Sequence, residues 1–300
     1  MAVLAAALAA VAVWGATPIA TKLAVAGLEP LAVGLLRTLL AGLLALPVVL
    51  LGRLAPPSSA RGRGRLAVSA AGGFVLFPIL FSLGLGLTSA AHGALILAVL
   101  PVFTGLIAAA LERRLPAARW WLGAAIALFG TALLIGARFG LAAPGEIWAG
   151  SLPGDLLVLA SALAASAGYV TGARAVREAG TWAVTFWGLL LGGIALLPIL
   201  PFALAPASLV QAGADVWAAL LYLAGLSSIL AYAAWYWALG RGDIARTGLI
   251  QFAQPVIGLV LAVILLGEAL AWPLVLSAAV IIGGVALAQS ARPVTPRHTQ

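Results

Sequence analysis

Apolar residues run along this chain in blocks of about twenty, separated by short clusters of charge, proline and glycine. The blocks predict helices near 3–26, 30–51, 66–87, 89–111, 117–137, 154–176, 180–202, 215–239, 244–266 and 270–289. Glu29–Pro30 and the stretch Leu270 to Pro273 punctuate the pattern clearly, because proline is tolerated in the first turn of a helix. Between the third and fourth blocks the only signals are Gly84, Gly86, Thr88 and Ser89, with no charge. A block of about 22 residues rising 1.5 Å per residue crosses a hydrocarbon core of about 30 Å. Ten such blocks would take up about three quarters of the 300 residues, which leaves short connections.

Composition then decides the solvent. Hydrophobic residues make up 64% of the chain and charged ones 8%, against roughly 25% charged in soluble globular proteins. That polar surface is too small for a soluble enzyme or a disordered binder, so lipid faces most of the chain. The absence of cysteine excludes disulfides, thiolate metal sites, iron–sulfur clusters and a cysteine nucleophile. Two histidines, His92 and His298, are too few for a haem pair or a His-rich zinc site. No G-x-x-x-x-G-K-[ST] segment occurs, so the chain itself does not hydrolyse ATP, and no cofactor or metal is expected.

The net charge of +8 is an orientation signal. With ten spans, one set of connections holds Arg53, Arg61, Arg63, Arg65, Arg113, Arg114, Arg119, Arg174, Arg177, Arg241, Arg246, Arg292 and Arg297, and the opposite set only Arg138. Lys22 and Arg37 fall within spans. Both termini are therefore expected in the cytoplasm, in a multi-pass protein of the cell's inner membrane. Tryptophan prefers the headgroup level. Trp120, Trp121, Trp148, Trp182, Trp217, Trp235, Trp237 and Trp272 fall near span ends or in a loop, which leaves Trp14 and Trp187 deep. A signal peptide is disfavoured for the first block, since residues 1–13 have no basic segment and the apolar run continues to Ala26.

An offset of 154 residues lays RTGLIQFAQPVIGLVLAVIL (246–265) on HGALILAVLPVFTGLIAAAL (92–111), with Pro255 on Pro101 and, without a gap, Gly284 on Gly130. The first copy is followed by the basic LERRLPAARWW and the second by LLGEALAWP, which has no arginine. A five-helix unit repeated once must be inverted, and the loop moved to the outer face should lose its arginines. Trp14–Gly15 with Lys22, Arg37 in the second span, Pro101 to Thr104 followed by Glu112, and in the second copy Pro255, Gly267–Glu268 and Gly283–Gly284 resemble the EamA family of the drug/metabolite transporter superfamily. The resemblance spans residues 3–289. Thr38 stands where the family often has Phe, and Arg113–Arg114 spreads the usual Gly-Glu motif.

The resemblance implies ten helices around a central cavity and the movement, most often export, of small metabolites. The expected architecture is thus an all-α integral membrane protein of ten transmembrane helices, arranged as two inverted five-helix repeats around a central cavity. Residues 1–137 form one repeat, 138–153 an outer loop, 154–290 the second repeat and 291–300 a cytoplasmic tail. A monomer is expected, with a small-molecule substrate and membrane lipid as partners and no nucleic acid.

The candidate chemistry is mostly uncharged. All eight acids fall in connections or at span ends, Asp155 closest to entering a helix, which disfavours a carboxylate-driven cycle. His92 is first a hydrogen-bonded structural residue and second a proton relay. Lys22, about 6 Å of rise from its span end, can snorkel to the outer interface. Arg37 lies about seven residues deep, where a cation costs roughly 2.5–3.5 kcal/mol. It should face the bundle as a clamp on helix-end carbonyls or an acid, and alternatively binds a substrate carboxylate.

Thr17, Gln251, Gln254, Ser161, Ser166, Tyr169, Thr185, Ser227, Ser228, Tyr232 and Tyr236 can bind a neutral or zwitterionic solute, or bond helices together. Gln254, with Gln251 near its face, stands out beside Pro255, which with Pro101 forms a pair of helix breaks. Phe74, Phe77 and Phe81, with Tyr232 and Tyr236, have helical spacing for an aromatic lining, and Trp14 and Trp187 join them as deep rings. Gly188–Gly192 and Gly283–Gly284 read as packing positions. These features point within the family to export of amino acids, neutral, aromatic or hydrophobic, by alternating access. A nucleotide-sugar or phosphorylated-metabolite exchanger needs more buried cations. An intramembrane enzyme needs a Ser–His pair or an acid pair at depth.

Overall fold

The computed structural model describes residues 2–113, 116–136, 151–241, 251 and 253–290. Arg114, Arg138, Glu146, Trp148, Asp243, Arg246, Arg292, Arg297, His298, the expected start of the ninth span and the tail 291–300 lie outside the described residues. All regular structure among the described residues is helical. In chain order the main helices are α1 (Ala2–Gly27), α2 (Pro30–Leu51), α3 (Ala60–Leu87), α4 (Ala90–Leu111), α5 (Ala118–Gly136), α6 (Leu152–Ala179), α7 (Thr181–Ala203), α8 (Ala214–Ala238), α9 (Ala253–Leu266) and α10 (Trp272–Gln289). Seven of them, α1 to α4 and α6 to α8, are long and apolar enough to cross a membrane, while α5, α9 and α10 carry shorter apolar runs. A further short helix, Pro206–Gln211, was not signalled by hydropathy.

Capping explains where the helices begin. Ser89 Oγ accepts the His92 amide at 3.1 Å and starts α4, so the unmarked gap between the third and fourth blocks is a capping event. Ser59 accepts the Gly62 amide at 2.8 Å and starts α3 six residues before its apolar run, adding a basic turn. Ser151 does the same for Gly154 at the head of α6. Pro101 lies just after the interruption of α4 at Ala98–Val99, and Pro255 in the first turn of α9.

Two helices carry wide π turns: Ala70–Leu76 in α3 and Tyr222–Leu230 in α8. An extra residue per turn rotates the downstream face. Phe74, inside the first wide turn, therefore leaves the face of Phe77 and Phe81 and packs on Tyr232 at 4.8 Å, while Phe77 and Phe81 stack on each other at 5.3 Å. The single Phe stripe expected from the spacing is split. Pro78 cannot supply an N–H to the Phe74 carbonyl four residues back, and Thr38 Oγ1 donates to that carbonyl at 2.7 Å. That bond gives the unusual Thr after Arg37 a structural role.

The helices pair in a regular way: α5 with α10, α2 with α7, α1 with α8 and α9, and α6 with α3 and α4. Exchanging each helix for the one five places on returns the same set of pairs. A shift of 154 residues carries Glu112, the last helical residue after the apolar run of α4, to Leu266 at the end of α9, and the start of α5 at Ala118 to the start of α10 at Trp272. It also carries the first π turn into the second. Close backbone approach seals the pairs. A Cβ on Gly284 would sit 2.4 Å from the Ala127 amide, and one on Gly123 2.2 Å from the Ala288 amide, whereas Gly283 faces open space. Large apolar side chains such as Phe129 and Ile264 point outward, as a lipid-facing surface requires.

Candidate functional site

The centre of the bundle is built around the wide turn of α8. Ser228 Oγ donates to the Leu223 carbonyl five residues back, at 2.8 Å, a bond that fits the π geometry. That turn offers the Ser227–Ser228 pair to two helices of the first half. From α2, Arg37 donates through Nε to Ser228 Oγ at 3.0 Å and through Nη2 to Ser227 Oγ at 3.1 Å. From α1, Thr17 Oγ1 shares a hydrogen with Ser227 Oγ at 2.9 Å, and Trp14 Nε1 donates to the Ser227 carbonyl at 3.1 Å. Arg37 is only 2% exposed, and its guanidinium sits 5.5 Å from the Phe77 ring centroid.

Against this polar knot stands an aromatic cluster. Trp14 stacks on Tyr169 at 5.9 Å, meets Tyr232 edge-on at 5.2 Å and touches Trp235 at 5.6 Å. Tyr232 packs on Tyr169 at 5.7 Å and Tyr236 at 6.1 Å. Arg37 Nη1, Thr21 Oγ1 and Ser82 Oγ are buried without a hydrogen-bond partner, whereas the Tyr232 hydroxyl interacts with that of Tyr169 and the Tyr236 hydroxyl with that of Ser69. Arg37 Nη1 is the charged donor among them, and a buried charged group without a full set of partners is the one that most needs a ligand.

The second group lies at the crossing of α4 and α9. Gln251, Gln254, Pro101 and Pro255 line a narrow crevice with Ala94, Leu97 and Ile282. The two glutamines line the same crevice beside Pro101 and Pro255, and the neighbouring Ala253 packs on the aromatic cluster.

The third group closes the end of the bundle that carries turns 28–29, 88–89 and 267–271. Both Glu268 carboxylate oxygens accept backbone amides at the head of α4, from Ala90 and Ala91, each at 2.8 Å. Lys22 Nζ donates to the Leu85 and Thr88 carbonyls at the tail of α3, both at 2.8 Å. The Lys22 ammonium thus reaches the end of the bundle and caps the last carbonyls of α3. Asp155 Oδ1 accepts from Thr88 Oγ1 at 2.6 Å, and Oδ2 lies 3.4 Å from His92 Nδ1. Asp155, in the first turn of α6, is at a span end and yet fully buried. His92 takes its place in this closure beside Asp155.

Other expected site residues fall elsewhere. Trp187 Nε1 donates to the Leu54 carbonyl at 2.8 Å, at the opposite end of the bundle, so it ties α7 to the α2–α3 connection and leaves the cavity set. Trp235, expected at an interface, is buried against Trp14. Ser161, Ser166 and Thr185 spend their hydroxyls on carbonyls one turn back in their own helices, with Ser166 also reaching the Leu100 carbonyl. At the end opposite Glu268, Arg65, Arg174, Arg177 and Glu178 surround an open cavity of about 490 Å³, and Glu178 accepts from Ser58 and Ser59.

Comparison with known proteins gives consistent matches. The model of the EamA-like transporter family matches residues 1–136 and 152–289. The uncharacterized transporter YdeK of Bacillus subtilis (strain 168) is 34% identical over 257 residues, covering 85% of this chain and 86% of that protein. A "Probable amino-acid metabolite efflux pump" of Salmonella typhimurium is 30% identical over 291 residues, covering 93% and 92%. A solved crystal structure with 24% identity and a TM-score of 0.63 covers 95% of this chain and 96% of that one, and shares its fold.

Proposed function

We propose that this chain, which belongs to the EamA-like transporter family, exports amino acids with neutral, aromatic or hydrophobic side chains by alternating access. Membership makes it a membrane transporter. The substrate is inferred from the bundle centre. The observation that carries it is the cluster of Trp14, Tyr169 and Tyr232 beside the Thr17, Arg37 and Ser227 network, drawn from both halves of the chain. Aromatic faces suit an apolar side chain and unspent polar groups suit a zwitterionic end. Phosphorylated cargo carries about two charges, and Arg37 is the one buried Lys or Arg among the described residues. The Salmonella typhimurium relative's name supports the same class.

Two inverted five-helix repeats, ten helices in all, support the mechanism. The 154-residue correspondence of helix ends and π turns, the exchange-symmetric pairing and the division of the family match at 136 and 152 all favour that arrangement. With both termini in the cytoplasm, the Glu268 closure lies on the outer side and the Arg65–Arg174–Arg177 cavity on the inner. The halves then rock about the central cluster, and the Gln254–Pro255 crevice at α4 and α9 acts as a hinge.

The test is uptake of labelled Phe, Met or Thr into proteoliposomes. Saturable flux of these is expected. No flux across a broad amino-acid panel, with flux of a sugar or nucleotide instead, contradicts the assignment.

A further inference from the structure

We infer that Arg37 is the anchor for the carboxylate of the cargo, with Nη1 as the donor that receives it. The inference rests on the amino-acid reading above and names the group on this chain that recognises one end of the substrate.

Arg37 is buried at 2% exposure, and among the described residues no carboxylate lies within salt-bridge distance of it. The buried acid, Asp155, is engaged with Thr88 and His92 near the end of the bundle. A buried cation without an anion is held at a cost that a bound anion would relieve. The surroundings fix the guanidinium rather than neutralise it. Nε is held by Ser228, Nη2 by Ser227, and the plane lies near the Phe77 ring. Guanidinium has five N–H donors, and those on Nη1 are unspent.

Lys22 shows how this protein uses a cation as a clamp: its ammonium is spent on two helix-end carbonyls. Arg37 differs on that point. It is aimed by two hydroxyls and leaves one nitrogen open, the geometry of a donor positioned for a planar anion. Ser227 joins this donor to the aromatic cluster, since its carbonyl accepts from Trp14 and its hydroxyl from Arg37. A carboxylate at Nη1 would have the Thr17–Ser227 hydroxyl pair beside it and the Trp14 and Tyr232 rings for its side chain.

The experiment measures binding to the full chain in nanodiscs with three probes that differ only in their polar end: phenylalanine, 3-phenylpropionate and phenethylamine. The wild type should bind the two carboxylates at least tenfold more tightly than the amine. In Arg37→Gln that preference should vanish, and in Arg37→Lys, which keeps the charge but loses the planar fork, it should be partly restored. If Arg37→Gln does not fold, Ser228→Ala removes the Nε partner and should cut the preference several-fold. A structural clamp would lower stability without changing the ratio between probes. Undiminished preference for carboxylates in Arg37→Gln or Ser228→Ala overturns the inference, and phenylalanine flux that persists alongside leaves the amino-acid reading standing. Arg37-dependent binding of 3-phenylpropionate without binding of any amino acid upholds the inference and removes the amino-acid reading. A wild type that prefers phenethylamine overturns the inference.

Discussion

Glu268→Gln tests the closure at the outer end. The carboxylate accepts the first two amides of α4, each at 2.8 Å, where the helix dipole favours negative charge. Hydrogen bonds to a charged group contribute about 1.5–3 kcal/mol and neutral ones about 1 kcal/mol. Gln keeps the shape and one acceptor oxygen but turns an NH₂ toward the other amide. The loss is therefore about 2 kcal/mol, close to a thirtyfold change in equilibrium. The contacts join the α9–α10 connection to the α3–α4 turn, so they exist only while this end is shut. Their loss should move the population thirtyfold toward the outward-open state. Because the chain has no cysteine, a single Ser82→Cys gives a clean reporter, placed at a buried hydroxyl with no bond to lose. Labelling by an impermeant maleimide should accelerate by about that factor when Glu268→Gln is added. Equal rates in two equally stable proteins would refute the closure.

Three further outcomes follow from the packing. Gly284→Val should force α5 and α10 apart and lower stability by about 1–3 kcal/mol, read as a lower thermal midpoint, while Gly283→Ala, which meets open space, should not. Tyr232→Phe removes a buried hydroxyl that interacts with Tyr169, so the empty protein should lose about 1 kcal/mol, read as a slightly lower thermal midpoint, while amino-acid flux falls much further; unchanged flux takes that hydroxyl off the site. His92→Gln disturbs the contact with buried Asp155, and should lower stability by roughly 1–2 kcal/mol yet leave the pH profile of flux unaltered. A flattened profile would instead make His92 a proton relay.

Much of this structure is legible in sequence because lipid imposes long apolar runs, and their ends are marked by proline, serine and arginine. The 154-residue correspondence was visible as Pro101 over Pro255, and it extends to helix ends. What hydropathy could not show is rotation within a helix. The π turn at Ala70–Leu76 breaks the 3.6-residue spacing that put Phe74 with Phe77 and Phe81. Depth also proved a poor guide to charge. Asp155 sits in the first turn of α6, yet Thr88 of the α3–α4 turn and His92 of α4 cover it. Trp14, Thr17, Tyr169, Tyr232 and Tyr236 were identifiable as inward-facing from the sequence. Their meeting with Arg37 depends on Ser227 and Ser228, whose placement requires the wide turn of α8.

The central claim is that the two halves alternate around one amino-acid site. Counterflow in proteoliposomes tests it most directly: vesicles loaded with unlabelled phenylalanine and diluted into trace labelled phenylalanine. An alternating carrier should accumulate label transiently above its outside concentration, with no ion gradient applied, and Arg37→Gln should abolish the overshoot. Label that only equilibrates, without overshoot and without saturation, would contradict the account.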